Sequence, residues 1–213
     1  QSAGWIWDIA LSTRRGIGYT FSSQYTDDQQ ANHCLLEYLK TITTTEIAES
    51  LTPRKITFTP GYREKFWQNN CVAIGMSSGF IEPLEASALA MIELSATMLA
   101  EELPVNTEHM KLVANRFNQR FTYRWQRVID FVKLHYVLSK REDSAYWRDN
   151  KQLRSIPEQL QNLLQLWQYQ PPSRHDLVQN EEVFPSASYQ YILYGMGFDT
   201  QQRSLNRRFD NAE

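Results

Sequence analysis

Two carboxylates three residues apart, Glu82 and Glu85, stand where a Gly/Ser-rich stretch, Gly75-Met76-Ser77-Ser78-Gly79, gives way to an Ala-rich run beginning Ala86-Ser87-Ala88. A carboxylate in a closed site serves as a general acid, a general base or a stabiliser of developing positive charge. The helix predicted for the Ala-rich run adds a second resource. Its first turn presents unpaired N–H groups and a partial positive charge, suited to an anion, a phosphate or the polar edge of a cofactor. The same acids also read as favourable first-turn residues with Ser87 on the surface, and spacing alone does not choose between these readings. Other reactive residue types offer less. His33, His109, His135 and His175 are dispersed without metal-ligand spacing, so no metal site is expected. His135, inside Leu134-His135-Tyr136, reads as a hydrogen-bonded core histidine. There is no GxSxG elbow and no phosphate-binding P-loop, and neither Cys34 nor Cys71 has the surroundings of a nucleophile.

The elements that must position these residues follow from hydrophobic periodicity. Trp5 to Leu11 and Gly16 to Ser23 read as strands. Thr26-Asp27-Asp28 predicts the cap of a helix running to about Leu39, with Ala31, Cys34, Leu35 and Tyr38 on one stripe. Thr41 to Pro53 reads as a loop, Lys55 to Thr59 as a strand closed by Pro60-Gly61, and Asn70 to Gly75 as a buried strand feeding the Gly/Ser loop. From about Glu85 the pattern is helical. The run from Leu84 to Leu103 is apolar almost all the way round, which predicts a centrally buried helix stopping before Pro104. Thr107 to Leu138 predicts one long or kinked amphipathic helix. Another helix begins near Pro157 with Leu160, Leu163, Leu164 and Trp167 inward, and Pro171-Pro172 closes it. The predicted class is α+β: a mixed part over 1–84, a mainly helical region over 85–200 and a polar tail over 201–213.

Composition narrows the classes of function. The chain has 213 residues, 42% hydrophobic and 22% charged, with a net charge of 22 − 24 = −2, which argues against a nucleic-acid binder. No apolar run approaches the ~20 residues of a membrane span. Two cysteines in separate segments fit a reducing cytoplasm better than a disulfide scaffold. Aromatic residues make up 13%, enough to line a pocket for a planar ligand as well as to fill a core. The chain opens at Gln1 and enters a strand pattern within a few residues, as if from mid-domain.

Four ordered stretches resemble the flavin-dependent tryptophan halogenase family. Gly4-Trp5-Ile6-Trp7-Asp8-Ile9-Ala10 is similar to its WxWxIP signature, and Gly16 to Ser23 to the strand after it. Asn69 to Gly75 running into Phe80-Ile81-Glu82-Pro83-Leu84-Glu85 resembles NCVxxG…FLEPLE. Asp130-Phe131-Val132 through His135-Tyr136 and Arg141 to Trp147 resembles DFVxxHY…RxDxxFW. The likeness is close over 4–147 and weaker to about Gly197. The resemblance implies a partial halogenase-like fold in which reduced FAD, supplied by a separate flavin reductase, reacts with oxygen to give a flavin hydroperoxide. Chloride or bromide attacks it, and the hypohalous acid formed travels through a tunnel to an aromatic, indole-like substrate.

It also implies roles for residues here. Glu85 matches the glutamate that, with a lysine, activates or positions the halogenating species, and Glu82 and Pro83 shape the turn. Ser87 and Ala88 fall where backbone amides hold the halide, and Gly75, Met76 and Ser77 where the flavin passes. Trp5 and Trp7 match an aromatic barrier between substrate and flavin. Phe184, Tyr189 and Tyr191 lie in the neighbourhood of the substrate-binding aromatics. Three departures stand beside the match: Ala10 replaces the proline of WxWxIP, Ala86 replaces a serine after the glutamate, and neither the GxGxxG turn for the FAD pyrophosphate nor the catalytic-lysine motif occurs. The expected partners are therefore the aromatic substrate, the flavin reductase, an N-terminal portion of the same protein and a second copy in a homodimer. A non-catalytic binding module and an FAD-dependent hydroxylase remain the alternative readings.

Overall fold

The computed structural model describes residues 1–179 and 181–201. In chain order its elements are β1 (Gly4–Ala10), β2 (Arg15–Phe21), α1 (Asp28–Ile42), α2 (Thr45–Ser50), β3 (Gly61–Tyr62), β4 (Trp67–Gln68), β5 (Cys71–Val72), β6 (Gly79–Phe80), α3 (Ala88–Glu101), α4 (Thr107–Leu138), α5 (Ala145–Asp149), α6 (Glu158–Trp167) and α7 (Ser186–Gly195). The strands form three separate antiparallel pairs: β1 with β2, β3 with β6, and β4 with β5. By contact the chain groups into two compact units, 1–57 with 140–155, and 58–139 with 156–213. Among the described residues no helix is long and apolar enough to cross a membrane.

In the first unit β1 and β2 form a seven-residue hairpin, with Gly4 opposite Phe21 and Ala10 opposite Arg15. Trp5 and Trp7 share one face of β1, as period-2 alternation requires. The Trp7 indole lies so close over Gly18 that a Cβ there would sit 2.2 Å from the ring, which accounts for that glycine. Arg15 grips the Asp8 carboxylate through two bonds of 2.6 Å, and the Tyr38 hydroxyl donates to the same carboxylate at 2.7 Å, tying α1 to the hairpin. Both donors hold the Asp8 carboxyl below the usual range, Arg15 chiefly. The Trp147 indole N–H donates to the Gln1 carbonyl at 2.9 Å, while the Arg141 guanidinium lies over its ring.

The second unit is organised by α4, 32 residues in one unbroken helix about 48 Å long. The Asn106 side chain accepts from His109 N at 2.8 Å and caps its start. The first two thirds of α4 join Phe66, Trp67, Met91 and Met98 in one apolar core through Val113, Phe117, Phe121, Trp125 and Val128. The last third builds a second core, in which Phe131 and Leu134 meet Leu160, Leu163 and Trp167 of α6 and Tyr189 and Leu193 of α7. Asn118 fastens β4 to the helix: its Oδ1 accepts from Phe66 N and Trp67 N, both at 2.8 Å, and its Nδ2 donates to the Trp67 carbonyl at 2.9 Å.

Several expected elements differ. No strand forms over 55–59; residues 51–60 are irregular and exposed, because Pro53 and Pro60 withhold ladder donors at both ends and, among the described residues, no partner strand pairs with them. The expected loop over 41–53 contains α2, started by the Thr44 hydroxyl accepting from Ile47 N. The buried strand expected over 70–75 reduces to Cys71–Val72, with Cys71 exposed. α3 starts at Ala88 rather than Glu85, and only Met91, Ser95 and Met98 are buried. Its other side is open among the described residues, Leu89 being 78% exposed, so all-round apolarity does not make it a central helix here. α5 and α7 lack any counterpart among the expected elements. Of the polar tail over 201–213, all but Gln201 lies outside the described residues.

Candidate active site

The two acids are placed by a strained turn. After β6 the chain enters a 3-10 turn over Leu84–Ala86, in which Glu85 has φ 67 and ψ 4 and Ala86 has φ 50. Side chains in this left-handed region clash with their own backbone, and sparsely populated conformations of this kind cost roughly 1–3 kcal/mol each. Two in succession interrupt what would otherwise be continuous helix and delay α3 to Ala88. Ala86 N donates to the Pro83 carbonyl at 3.1 Å, closing the turn. Ser87 is buried and stands at the start of α3, its carbonyl accepting from Met91 N and its hydroxyl making no capping bond.

The turn delivers both carboxylates to α4. The Tyr136 hydroxyl lies 2.8 and 2.7 Å from the two Glu82 oxygens. Lys133, three residues earlier, is within electrostatic reach of Glu82; burial lowers its ammonium to about 8, against the pull of that carboxylate. Glu85 Oε1 lies 2.9 Å from His135 Nε2, and His135 Nδ1 lies 2.8 Å from the Phe131 carbonyl one helical turn back. The Phe131 ring meets the imidazole edge-on at 5.3 Å. His135 is hydrogen-bonded as expected, but its second partner is Glu85. The Glu85 side chain is 33% exposed and that of His135 16%. Among the described residues nothing hydrogen-bonds Glu85 Oε2.

The remaining expected residues fall as follows. Gly75, Met76 and Ser77 form a 3-10 turn that opens with Gly75 at φ 61 and is pinned by Ser77 Oγ to Ile74 and by Ser78 Oγ to the Gly75 carbonyl. Met76 projects, 79% exposed. Trp5 and Trp7 are half-buried in the other unit. Tyr189 is fully buried, its ring against Phe131 and Trp167; Phe184 stacks on Phe131 at 3.9 Å; Tyr191 is exposed. Burial raises the Tyr189 hydroxyl far above its ordinary value. Among the described residues no group of three His, Cys, Asp or Glu side chains is arranged to hold a metal ion. Sequence reasoning did not pair Lys133, His135 and Tyr136 with the acids. The available sign was three polar residues within four positions of a helix otherwise apolar on that side.

The sequence model described as tryptophan halogenase matches residues 1–210. The chain belongs to the flavin-dependent tryptophan halogenase family. Tryptophan 6-halogenase SttH of Streptomyces toxytricini is 34% identical over 92% of this chain and 36% of its own length. The crystal structure of a tryptophan halogenase from Shewanella frigidimarina superposes with a TM-score of 0.92 at 52% identity, covering 96% of this chain and 39% of that one. Tar14, a tryptophan C-6 flavin-dependent halogenase from taromycin biosynthesis, superposes with a TM-score of 0.87 at 30% identity over all of this chain and 42% of its own. The chain thus spans little more than a third of its curated relative.

Proposed function

We propose that the protein carrying this chain halogenates a tryptophan-like aromatic substrate and that Glu85 is its carboxylate at the reacting ring. The observation that carries this reading is the left-handed turn at Glu85 and Ala86, which holds Glu85 against His135 at the position matching the family's glutamate. A carboxylate here stabilises positive charge growing on an aromatic ring and accepts the proton the ring releases. The open Oε2 is the atom for that task, while Oε1 is held by the imidazole. An apolar cleft of about 180 Å³, bounded in part by Phe80, Ile81 and Trp125, adjoins the acid-bearing segment and suits a planar ring.

The residues present fit an edge of the flavin site rather than the whole of it. Gly75, with no Cβ and a left-handed φ, allows close approach to the backbone, and the projecting Met76 offers an apolar shelf to a flat ring. Held at that edge, reduced FAD would supply the activation of dioxygen needed to oxidise chloride or bromide. The first turn of α3 at Ser87 and Ala88, without a side-chain cap, supports halide binding, since the free N–H groups of a helix start suit a small anion. Trp5 and Trp7, on one face of β1, are assigned the wall between substrate and flavin on the family resemblance alone. A separate reductase and a lysine partner for Glu85 complete the reading.

The test is Glu85→Gln in the full-length protein. Halogenated product is expected to fall by about 10²-fold or more, the scale of a lost acid–base group, with FAD binding retained. Undiminished turnover would remove Glu85 from the reaction. A non-catalytic module is the second reading, favoured by Ala86 where the family carries serine; on it the unaltered full-length protein yields no halogenated product at all.

A further inference from the structure

The contacts of His135 constrain its protons. Its Nδ1 faces the Phe131 carbonyl oxygen at 2.8 Å, and its Nε2 faces a Glu85 carboxyl oxygen at 2.9 Å. A neutral imidazole has one N–H and one bare nitrogen. If the proton is on Nδ1, the bare Nε2 opposes an ionised Glu85. If it is on Nε2, the bare Nδ1 opposes the Phe131 carbonyl, which has no proton to give. Either neutral tautomer facing a carboxylate leaves two acceptors within hydrogen-bond distance, so both contacts are satisfied only when the pair holds one additional proton. We infer that Glu85 and His135 share a proton in the Oε1···Nε2 contact, which makes His135 a positioning residue that fixes one oxygen of Glu85 and leaves Oε2 to act.

The groups around the pair allow this. On the turn, Glu82 is engaged by Tyr136, and on α4 Lys133 lies within reach of Glu82. Phe131 contributes its ring and its carbonyl. Glu82, Lys133 and Tyr136 are titratable groups on the same turn and helix, with the Tyr136 hydroxyl on the Glu82 carboxylate and that carboxylate acting on Lys133. The shared proton follows from the contacts themselves. Its catalytic use rests on the function proposed above, and the two are tested separately.

For the first, ¹⁵N shifts of the His135 ring and the ¹³C shift of the Glu85 carboxyl are recorded on the full chain near pH 7. Signals are assigned by their loss in His135→Gln and Glu85→Gln, with the other three histidines reporting that the fold is intact. The expected result is a protonated Nδ1 together with either a protonated Nε2 or a protonated Glu85 carboxyl. In Glu85→Gln the amide supplies its own N–H, so Nε2 should become bare while Nδ1 stays protonated. A bare Nε2 opposite an ionised Glu85, a bare Nδ1, or an Nε2 that stays protonated in Glu85→Gln would each overturn the shared proton.

For the second, His135→Gln in the full-length protein keeps a hydrogen-bond donor but cannot hold the additional proton. Its kcat is expected to fall by at least about tenfold with KM for the aromatic substrate nearly unchanged, and its kcat profile should lose one pH-dependent limb. A purely structural contact would be rescued by glutamine, so an unaltered kcat and profile would overturn the positioning role. If the NMR result stands while Glu85→Gln retains full turnover, the proposed function fails and the shared proton survives.

Discussion

Glu85 and His135, fifty residues apart in sequence, meet at 2.9 Å because a left-handed turn and the end of a long helix are brought together at matching heights. The neighbouring pair, Glu82 and Tyr136, meets at 2.7 Å. Two acids three positions apart on a turn are therefore received by two consecutive residues of α4. Neither contact requires the other chemically, yet one placement of the turn satisfies both.

The Glu82 contact should be measurable as stability. Tyr136→Phe removes the hydroxyl that faces both oxygens of the half-buried Glu82 carboxylate. A loss of about 1–3 kcal/mol is expected for a hydrogen bond to a charged group, read as a lower urea midpoint at unchanged slope. An unmoved midpoint would mean that water replaces the hydroxyl without cost.

Asn118 offers a sharper case, because one amide holds two backbone N–H groups and one carbonyl. Asn118→Ala strands the N–H groups of Phe66 and Trp67 beside an apolar core, and about 2–4 kcal/mol of destabilisation is expected. Hydrogen exchange should quicken at these two amides more than elsewhere in β4 and β5. Equal change across the unit would show that Asn118 supports the core in general rather than this strand.

The strain at Ala86 predicts a gain. Ala86→Gly relieves a φ of 50 at a side chain that makes no described hydrogen bond, and stability should rise by up to about 1 kcal/mol. Chemical denaturation of the two proteins decides it. A loss would mean that the alanine methyl packs more favourably than the backbone is strained.

Asp130 sets a pH dependence. Its carboxyl is buried beside Arg127 at 2.7 Å, and burial, outweighing the arginine, raises it to about 6. The native state thus holds this proton more tightly than the unfolded chain. The contribution to stability is complete below about pH 4 and is lost as pH rises through about 6. Asp130→Asn should flatten that part of the stability profile, measured as urea midpoints between about pH 4 and pH 7. Identical profiles for the two proteins would refute the assignment.

Much of the scaffold could be read from local pattern. The first two strands, α1, α4 and α6 carry clean periodicity and caps, and their bounds agree to within a few residues. What escaped depends on partners distant in sequence. Lys55 to Thr59 alternates like a strand, but a strand exists only where another lies alongside. The run from Leu84 to Leu103 looks like one helix because side-chain pattern carries no sign of the backbone angles at Glu85 and Ala86. Within the site, the carboxylates and the resemblance were legible. The pairing of Glu85 with His135 was not, since it depends on where a turn closes against a helix fifty residues on.

The continuity of α4 has a consequence for how such a chain can change. One added residue midway, between Val128 and Ile129, would swing everything beyond it by about 100° and push it about 1.5 Å along the axis. Phe131 and Leu134 would leave the second core at the same stroke as His135 and Tyr136 left the two acids. A seven-residue insertion, nearly two whole turns, would restore the direction but overshoot by about 10 Å. The distance from the Asn118 anchor to the carboxylates is therefore a fixed ruler: side chains along it can be exchanged one at a time, but the count of residues cannot.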